Sequence, residues 1–243
     1  MARRSIPARS PVLPRIESTT SGYAPDGEIP SDYVRDRVKV RGIACLGGPA
    51  HAREAASGSA ALVLGTRDGD FRMQLGDVFD RAGLICERSN DMVGIEMAGV
   101  AKNVAVLAAA TAESYGLNSA GIAAAEVWKE CVGFAELKGA RLETFNGLAG
   151  VGDLLATVMA PGSRTRRAGE LLGTGSSVTE IRSAIGQASE ALESIGTIAR
   201  TLDAAGCPNQ AIAGLAAVTD GTLGADEWVA AVRRIGPARQ LRT

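Results

Sequence analysis

Lys102 stands out among the residues that could do chemistry, because small and apolar residues surround it. The segment reads Glu-Met-Ala-Gly-Val-Ala-Lys-Asn over residues 96–103, and alanine and valine dominate the residues after it. Burial among such residues disfavours the charged ammonium, so this side chain is a candidate for accepting a proton from an alcohol. The alternative is an ordinary helical lysine whose long stem carries its charge out to solvent.

A glycine-rich segment at residues 147–153 is followed by a second polar side chain at helical spacing. The segment reads Gly-Leu-Ala-Gly-Val-Gly-Asp, and Thr157 comes four residues after Asp153. A helix that begins at the last glycine puts Asp153 and Thr157 on one face, where both could hold the hydroxyls of a polyol. The alternative for Asp153 is a helix-start residue that interacts favourably with the helix dipole.

The segment at residues 161–167, Pro-Gly-Ser-Arg-Thr-Arg-Arg, has the composition of an anion site. Ser163 is placed to cap a helix that begins with Arg164 and Thr165. The free N–H groups of a helix start, together with hydroxyls and a guanidinium, suit a phosphate monoester. The alternative is a capped, solvated, basic helix end.

A turn over residues 47–54 reads Gly-Gly-Pro-Ala-His-Ala-Arg-Glu. Glycine there allows a ligand to approach the backbone closely. His51 is the only histidine of the chain, and because no partner for it can be identified, we predict a structural role. The four cysteines are far apart in sequence, so we predict buried free thiols and no metal site.

The elements that must position these residues change in type along the chain. Strands are predicted at residues 38–46, 60–64 and 84–86, with helices at 51–56 and 68–81 between them, which indicates an α/β layer. After residue 90 the pattern is helical throughout. The predicted helices are 92–115, 120–137, 153–159, 164–172, 178–184, 189–205, 210–219 and 226–234. Ser177 and Glu180 form a capping-box pattern, and the expected helix ends or turns are Gly173, Gly175, Gly206 and Gly221.

The fold class predicted from this order is mainly α. Residues 1–34 are rich in Pro, Ser, Thr and Arg and are expected to be mostly irregular. Residues 35–90 form a short α/β piece, and residues 91–237 form an all-helical domain. With 46% hydrophobic but only 4% aromatic residues, the core must consist of Ala, Val, Leu and Ile.

The net charge of −1 gives no reason to expect nucleic acid or an anionic membrane as a partner. The longest apolar stretch, around residues 104–111, is too short to cross a bilayer. No apolar segment follows the first arginines, so a secretory signal is not predicted. We expect a cytoplasmic protein, and the long alanine-rich helices would suit a homodimer interface.

The motifs together are more specific than any one of them. A Gly-Pro-x-x-Ala-x-Glu turn comes first, followed by the lysine segment, Gly-x-Gly-Asp-Leu-x-x-Thr and Ser-Arg. In this order and spacing the chain resembles the NAD(P)-dependent glycerol-3-phosphate dehydrogenases from about residue 38 to residue 235. The resemblance implies a helical domain of the 6-phosphogluconate dehydrogenase C-terminal type, preceded by a remnant of the Rossmann domain.

The resemblance also implies an activity. It is the NAD- or NADP-linked interconversion of glycerol 3-phosphate and dihydroxyacetone phosphate, which supplies glycerophospholipid precursors. Lys102 would take the C2-hydroxyl proton as hydride leaves for the nicotinamide. The substrate would be bound by Asn103, Asp153, Thr157, Ser163, Arg164, Thr165, Gly48 and Ala50. The cofactor would be contacted by Ala52, Arg164, Ala188 and Glu190.

The sequence departs from the family pattern in several places. No Gly-x-Gly-x-x-Gly turn is present, so we expect binding of NAD or NADP to be impaired. A Lys-Gly pair that the family carries before the Gly-Pro turn is absent from residues 14–22. Ala50 stands where the family has a hydroxyl residue, and Thr165 where it has asparagine. We hypothesise that residues 1–34 are not native family sequence and arise from a gene fragment or a shifted frame, which the upstream DNA would test.

Three functional hypotheses follow. The first is an active dehydrogenase that reduces dihydroxyacetone phosphate. The second is a non-catalytic helical domain that binds a phosphorylated polyol or dimerises. The third is a related reductase that acts on another small hydroxy acid or sugar phosphate, for which Ala50 and Thr165 leave room.

Overall fold

The computed structural model describes residues 15–18, 28–40, 42–56, 58, 60–186 and 190–235 of the chain. The strands are β1 (Arg15–Ser18), β2 (Ile43–Gly47), β3 (Ala61–Gly65) and β4 (Ile85–Ser89). The helices of the first part are α1 (Pro30–Arg37), α2 (Ala52–Ala55) and α3 (Gly69–Arg81). Those of the second part are α4 (Met92–Glu113), α5 (Leu117–Leu137), α6 (Leu142–Asn146), α7 (Asp153–Met159), α8 (Arg164–Gly173), α9 (Val178–Ile185), α10 (Glu190–Ala204), α11 (Gln210–Thr219) and α12 (Ala225–Val232). The predicted fold class, mainly α with a small α/β piece first, is confirmed.

The strands form one mixed sheet in the order β1-β2-β3-β4. β1 pairs with β2 in parallel and β3 with β4 in parallel, but β2 and β3 are antiparallel. A Rossmann sheet is mostly parallel, so the antiparallel central pair departs from a simple remnant of one. The pairing brings the end of β2, and the turn that follows it, beside β3.

Two predictions for the first part of the chain are wrong in detail. Residues 1–34 were expected to be mostly irregular, but β1 lies in this segment and α1 begins at Pro30. Proline suits the first helical turn, where its missing N–H costs nothing. The strand predicted at residues 38–46 begins only at Ile43, because pairing with β1 starts there, opposite Arg15.

The predicted helices after residue 90 are present with small shifts of their ends. The capping box of Ser177 and Glu180 begins α9, as predicted. Gly175, Gly206 and Gly221 adopt the positive φ expected at helix ends and turns. Gly173, by contrast, is the last residue of α8. Neither α6 nor the π-helical turn Leu148–Gly152 that joins it to α7 is predicted from the sequence.

α4 is the central helix of the core. By length and composition it could cross a membrane. Its apolar stretch, Met92–Glu113, is longer than the stretch around residues 104–111 that is identified from the sequence. However, 89% of its most apolar window is buried inside the fold, because α5, α8 and the sheet pack around it. The alanines and valines of α4 therefore serve the core of a single chain, and they leave no free face for a second copy.

Buried carboxylates on α4 and α5 hydrogen-bond to the neighbouring helices α1 and α11. On α5, Glu130 accepts hydrogen bonds from the backbone N–H groups of Ala211 and Ile212, both at 3.0 Å, and so caps the start of α11. On α4, Glu96 accepts from the backbone N–H of Ser31 at 2.9 Å and from its hydroxyl at 2.7 Å. Glu96 thereby joins α1 to the middle of the molecule.

Candidate functional site

Lys102 and Asp153 meet in a buried ion pair. The Nζ of Lys102 donates to Oδ2 of Asp153 at 2.9 Å, and the two residues are only 7% and 6% exposed. They are 51 positions apart in sequence, so the contact depends on the packing of α7 against α4. The prediction of a buried lysine is confirmed, while the alternative of a lysine that reaches solvent is wrong. The carboxylate of Asp153 gives the buried ammonium a charge partner in the same site.

Asp153 is held by its own helix and by the turn before it. Thr157, one helical turn on, donates from Oγ1 to Oδ1 of Asp153 at 3.4 Å, so the two polar side chains share a face as predicted. The π-helical turn before Asp153 passes very close to α6. A Cβ on Gly150 would lie 2.0 Å from the carbonyl oxygen of Phe145, so only glycine fits there. The close approach of Phe145 therefore requires glycine at position 150, which the spacing of the motif alone could not reveal.

A pocket of about 210 Å³ opens above the ion pair. Its floor is Lys102 and Asp153, and its walls come from β2, from the turn after β2 and from β3. Gly48 in that turn has φ of +102°, and a Cβ there would lie 2.8 Å from the carbonyl oxygen of Ala61. The remaining described lining residues are Leu46, Gly47, Ala50, His51 and Leu62.

The structure brings together only part of the predicted substrate site. Gly48 and Ala50 line the pocket with the ion pair. Asn103 is buried beside Lys102 on α4, and it has an interaction of its own. Residues 163–165 are not among the described residues that line the pocket. They lie at the start of α8, the helix that follows α7.

The start of α8 has the local geometry predicted from sequence. Ser163 is the N-cap, and its hydroxyl accepts from the backbone N–H of Arg166 at 3.3 Å. Arg164 is exposed at the first helical position and Thr165 is half-buried. An exposed arginine beside a capped helix start can bind an anion.

The predicted cofactor contacts are spread over several elements. Ala52 is the first residue of α2, immediately after the pocket turn. Glu190 is exposed at the start of α10, whereas Ala188 lies outside the described residues. Arg164 and Glu190 are not among the described residues that line the pocket above the ion pair.

His51 is the residue that sequence reasoning set aside. We predicted a structural role for it, but the structure places it in the lining of the pocket and exposes it to solvent. The signal was available, since the only histidine of the chain follows directly on the Gly-Gly-Pro-Ala turn. No group of three or more potential metal ligands occurs among the residues that the structure describes.

The comparison with protein families finds its match in the helical part of the chain. The sequence profile described as NAD-dependent glycerol-3-phosphate dehydrogenase C-terminus matches residues 91–230. The chain is 32% identical over 200 residues to glycerol-3-phosphate dehydrogenase (NAD(P)+) of Methylibium petroleiphilum, covering 81% of this chain and 60% of that protein. It is 35% identical over 156 residues to glycerol-3-phosphate dehydrogenase (NAD(P)+) 1 of Mycobacterium tuberculosis, covering 63% and 46%.

Solved structures show the same likeness in the fold. A glycerol-3-phosphate dehydrogenase from Coxiella burnetii superposes with a TM-score of 0.80 at 25% identity, covering 87% of this chain and 66% of that one. The Plasmodium falciparum glycerol-3-phosphate dehydrogenase superposes with a TM-score of 0.77, but at 16% identity it supports the fold alone. The chain thus spans about 60% of the length of the first of these curated relatives.

Proposed function

The chain belongs to the NAD-dependent glycerol-3-phosphate dehydrogenase family through that family's C-terminal domain, and from this premise we propose that it supplies the substrate-binding and proton-transfer site for interconverting glycerol 3-phosphate and dihydroxyacetone phosphate. The observation that carries the proposal is the buried ion pair of Lys102 and Asp153 at the floor of a small pocket. A buried charge pair is costly to maintain for stability alone, because both charges lose their hydration.

The size of the pocket favours a small substrate. Its volume of about 210 Å³ is below the roughly 300–1,000 Å³ of pockets that take drug-sized ligands. A three-carbon phosphate ester could place its hydroxyls over the ion pair. Asp153 would accept a hydrogen bond from one hydroxyl, while Lys102 would face the oxygen of C2.

Lys102 has the position of a proton-transfer group in this proposal. In the reduction of the ketone, Nζ of Lys102 would donate its proton to the carbonyl oxygen of C2, which becomes the hydroxyl, and the resulting neutral amine would recover a proton from solvent. In the oxidation, the same nitrogen would accept the hydroxyl proton. Asp153 would hold the side chain of Lys102 in position through their hydrogen bond.

The phosphate end of the substrate would bind at the start of α8. The N-cap of Ser163 and the exposed Arg164 provide hydrogen-bond donors there, and Thr165 adds a hydroxyl.

The described residues fit the cofactor only in part. NAD(P), when bound, supplies the hydride acceptor or donor of the reaction. The pocket is too small for a whole dinucleotide, so most of the cofactor would lie outside it, towards the exposed Arg164 and Glu190. The sequence has no Gly-x-Gly-x-x-Gly turn. We therefore expect this chain alone to bind NAD or NADP weakly.

Titration calorimetry of the chain with glycerol 3-phosphate tests the proposal. We expect the wild-type chain to bind, and Lys102→Met, which keeps the length of the side chain without its charge, to weaken binding at least about tenfold. Lys39→Ala removes an exposed lysine and serves as the matched control. Equal affinities for the wild type and Lys102→Met would refute the proposed role of Lys102.

The alternative is a domain that binds a phosphorylated polyol without turnover, and the observation in its favour is a sequence that contains no Gly-x-Gly-x-x-Gly turn. Absorbance of reduced coenzyme in the presence of dihydroxyacetone phosphate separates the two. We expect no turnover from this chain alone, and turnover that Lys102→Met abolishes would favour the complete enzyme. If the chain is a reductase for another small hydroxy acid or sugar phosphate, it should bind that ligand more tightly than glycerol 3-phosphate.

Localisation and assembly remain part of the proposal. The four cysteines are free and buried, and burial raises the pKa of the Cys131 thiol to about 12, so these thiols suit a reducing cytoplasm. A homodimer would have to use surfaces other than α4, for example the exposed Leu117 and Ile122 of α5. Sedimentation of the purified chain would test that assembly.

A further inference from the structure

His51 contributes one of the few polar side chains of the pocket above the ion pair. Among the described lining residues, the other side chains that carry polar atoms are Lys102 and Asp153, and these two already bind each other. The remaining lining positions are leucines, an alanine and glycines, which offer only their backbone. A ligand that rests on the ion pair therefore finds its next side-chain partner at His51.

The backbone of His51 is fixed although its ring is exposed. Its carbonyl oxygen accepts hydrogen bonds from the backbone N–H groups of Glu54 at 2.9 Å and Ala55 at 2.8 Å. In the parts of the chain that the structure describes, no hydrogen bond to the imidazole ring occurs. The ring keeps at least one N–H donor in either protonation state, so it can bind a hydroxyl at the pocket mouth.

The position of the phosphate decides which end of the ligand meets His51. Resting on the proposed function, the phosphate lies at the start of α8, whose residues 163–165 are not among the described residues that line the pocket. The end of the molecule that reaches the pocket mouth is then the terminal carbon away from the phosphate. In glycerol 3-phosphate this carbon carries a hydroxyl.

We propose that His51 is a specificity-determining residue, which hydrogen-bonds the terminal hydroxyl of the substrate at the end opposite to its phosphate. The pocket thereby selects a polyol phosphate over the analogue that ends in a methyl group. Because His51 is exposed, water competes for its ring, and the selection corresponds to one hydrogen bond of ordinary net strength.

Calorimetry of the full chain with two ligands, sn-glycerol 3-phosphate and propane-1,2-diol 1-phosphate, tests this role. The second ligand lacks only the terminal hydroxyl. We expect the wild type to prefer glycerol 3-phosphate by about three- to tenfold. His51→Phe keeps a flat ring without the N–H and should remove this preference, while His51→Gln keeps a donor and should restore part of it.

The outcomes separate this role from the proposed function. If His51→Phe keeps the wild-type preference, or if it weakens both ligands equally, the role of His51 is overturned while the ion-pair site stands. If the wild-type chain binds neither ligand, the proposed function itself is overturned, and the role of His51 with it. Far-ultraviolet circular dichroism of each variant establishes that it is folded before binding is measured.

Discussion

Replacing Glu96 by glutamine should make this protein more stable at alkaline pH, although the substitution is in the core. Glu96 lies on α4, buried at 1% exposure, and holds Ser31 of α1 through two hydrogen bonds. Loss of hydration in this site raises the pKa of Glu96 from the ordinary 4.5 to about 7, and the hydrogen bonds from Ser31 only partly oppose the rise. The neighbouring charges of Asp32 and Arg35 have smaller, opposing effects.

The magnitude follows from the linkage between proton binding and folding. Between 4.5 and about 7 the folded protein holds a proton that the unfolded chain has released. The stability that this proton contributes is fully present below pH 4.5, and it is lost as the pH rises through about 7. A tenfold change in proton affinity corresponds to about 1.4 kcal/mol, so the whole interval corresponds to roughly 3 kcal/mol.

Glu96→Gln mimics the protonated carboxyl at every pH. Its amide oxygen can still accept from the backbone N–H of Ser31, and its NH₂ can donate to the hydroxyl. We expect nearly equal stability of variant and wild type at about pH 4, and a variant that is about 3 kcal/mol more stable at about pH 8.5. Urea unfolding followed by circular dichroism at both pH values measures the difference.

The control substitution is Glu136→Gln, which removes an exposed carboxylate from α5. Its stability relative to the wild type should not change with pH by more than a few tenths of a kcal/mol. The reasoning is refuted if the difference between Glu96→Gln and the wild type is the same at both pH values. Such a result would mean that Glu96 is equally protonated in the folded and unfolded states.

Further predictions concern the glycine turn and the buried anchors. Gly150→Ala should weaken binding of glycerol 3-phosphate at least about tenfold in calorimetry, because the new Cβ would clash with the carbonyl oxygen of Phe145. Gly152→Ala should change the affinity little, because the atom nearest to its Cβ would be 3.5 Å away. Equal effects of the two substitutions would contradict this reasoning. Glu130→Ala leaves two N–H groups of α11 without their acceptor and should cost about 3 kcal/mol in urea unfolding, while Glu130→Gln should cost less. Trp228→Phe removes the hydrogen bond from Nε1 to the carbonyl of Ala211 and should lower stability by about 1–2 kcal/mol; an unchanged midpoint would exclude that contribution.

The helical half of this fold could be read from sequence because its signals are local. The ends of α7 and α11 agree with the prediction residue for residue, and the capping box at Ser177 marks the start of α9. The first half was harder, because strand limits depend on pairing partners. β2 begins where β1 lies beside it, and no residue type or pattern within residues 38–46 indicates that the strand starts at Ile43.

The site was predictable in its residues but not in its contacts. Lys102 was identified by its apolar surroundings, yet its partner Asp153 is far away in sequence and only the packing of two helices joins them. The structural role predicted for His51 rested on the lack of an identifiable partner in the sequence, although this residue follows directly on the Gly-Gly-Pro-Ala turn. The spacing of residues along the chain does not show which of them lie close together in the folded protein.

The π-helical turn Leu148–Gly152 sets the rotational phase of the helix that follows it. A π-helical turn holds one residue more than an α-helical turn, and each residue of an α-helix advances the side-chain direction by about 100°. Deleting one residue from this turn would shorten the chain by little but would rotate Asp153 by about that angle, away from Lys102. The segment should thus tolerate conservative substitutions better than a change of length.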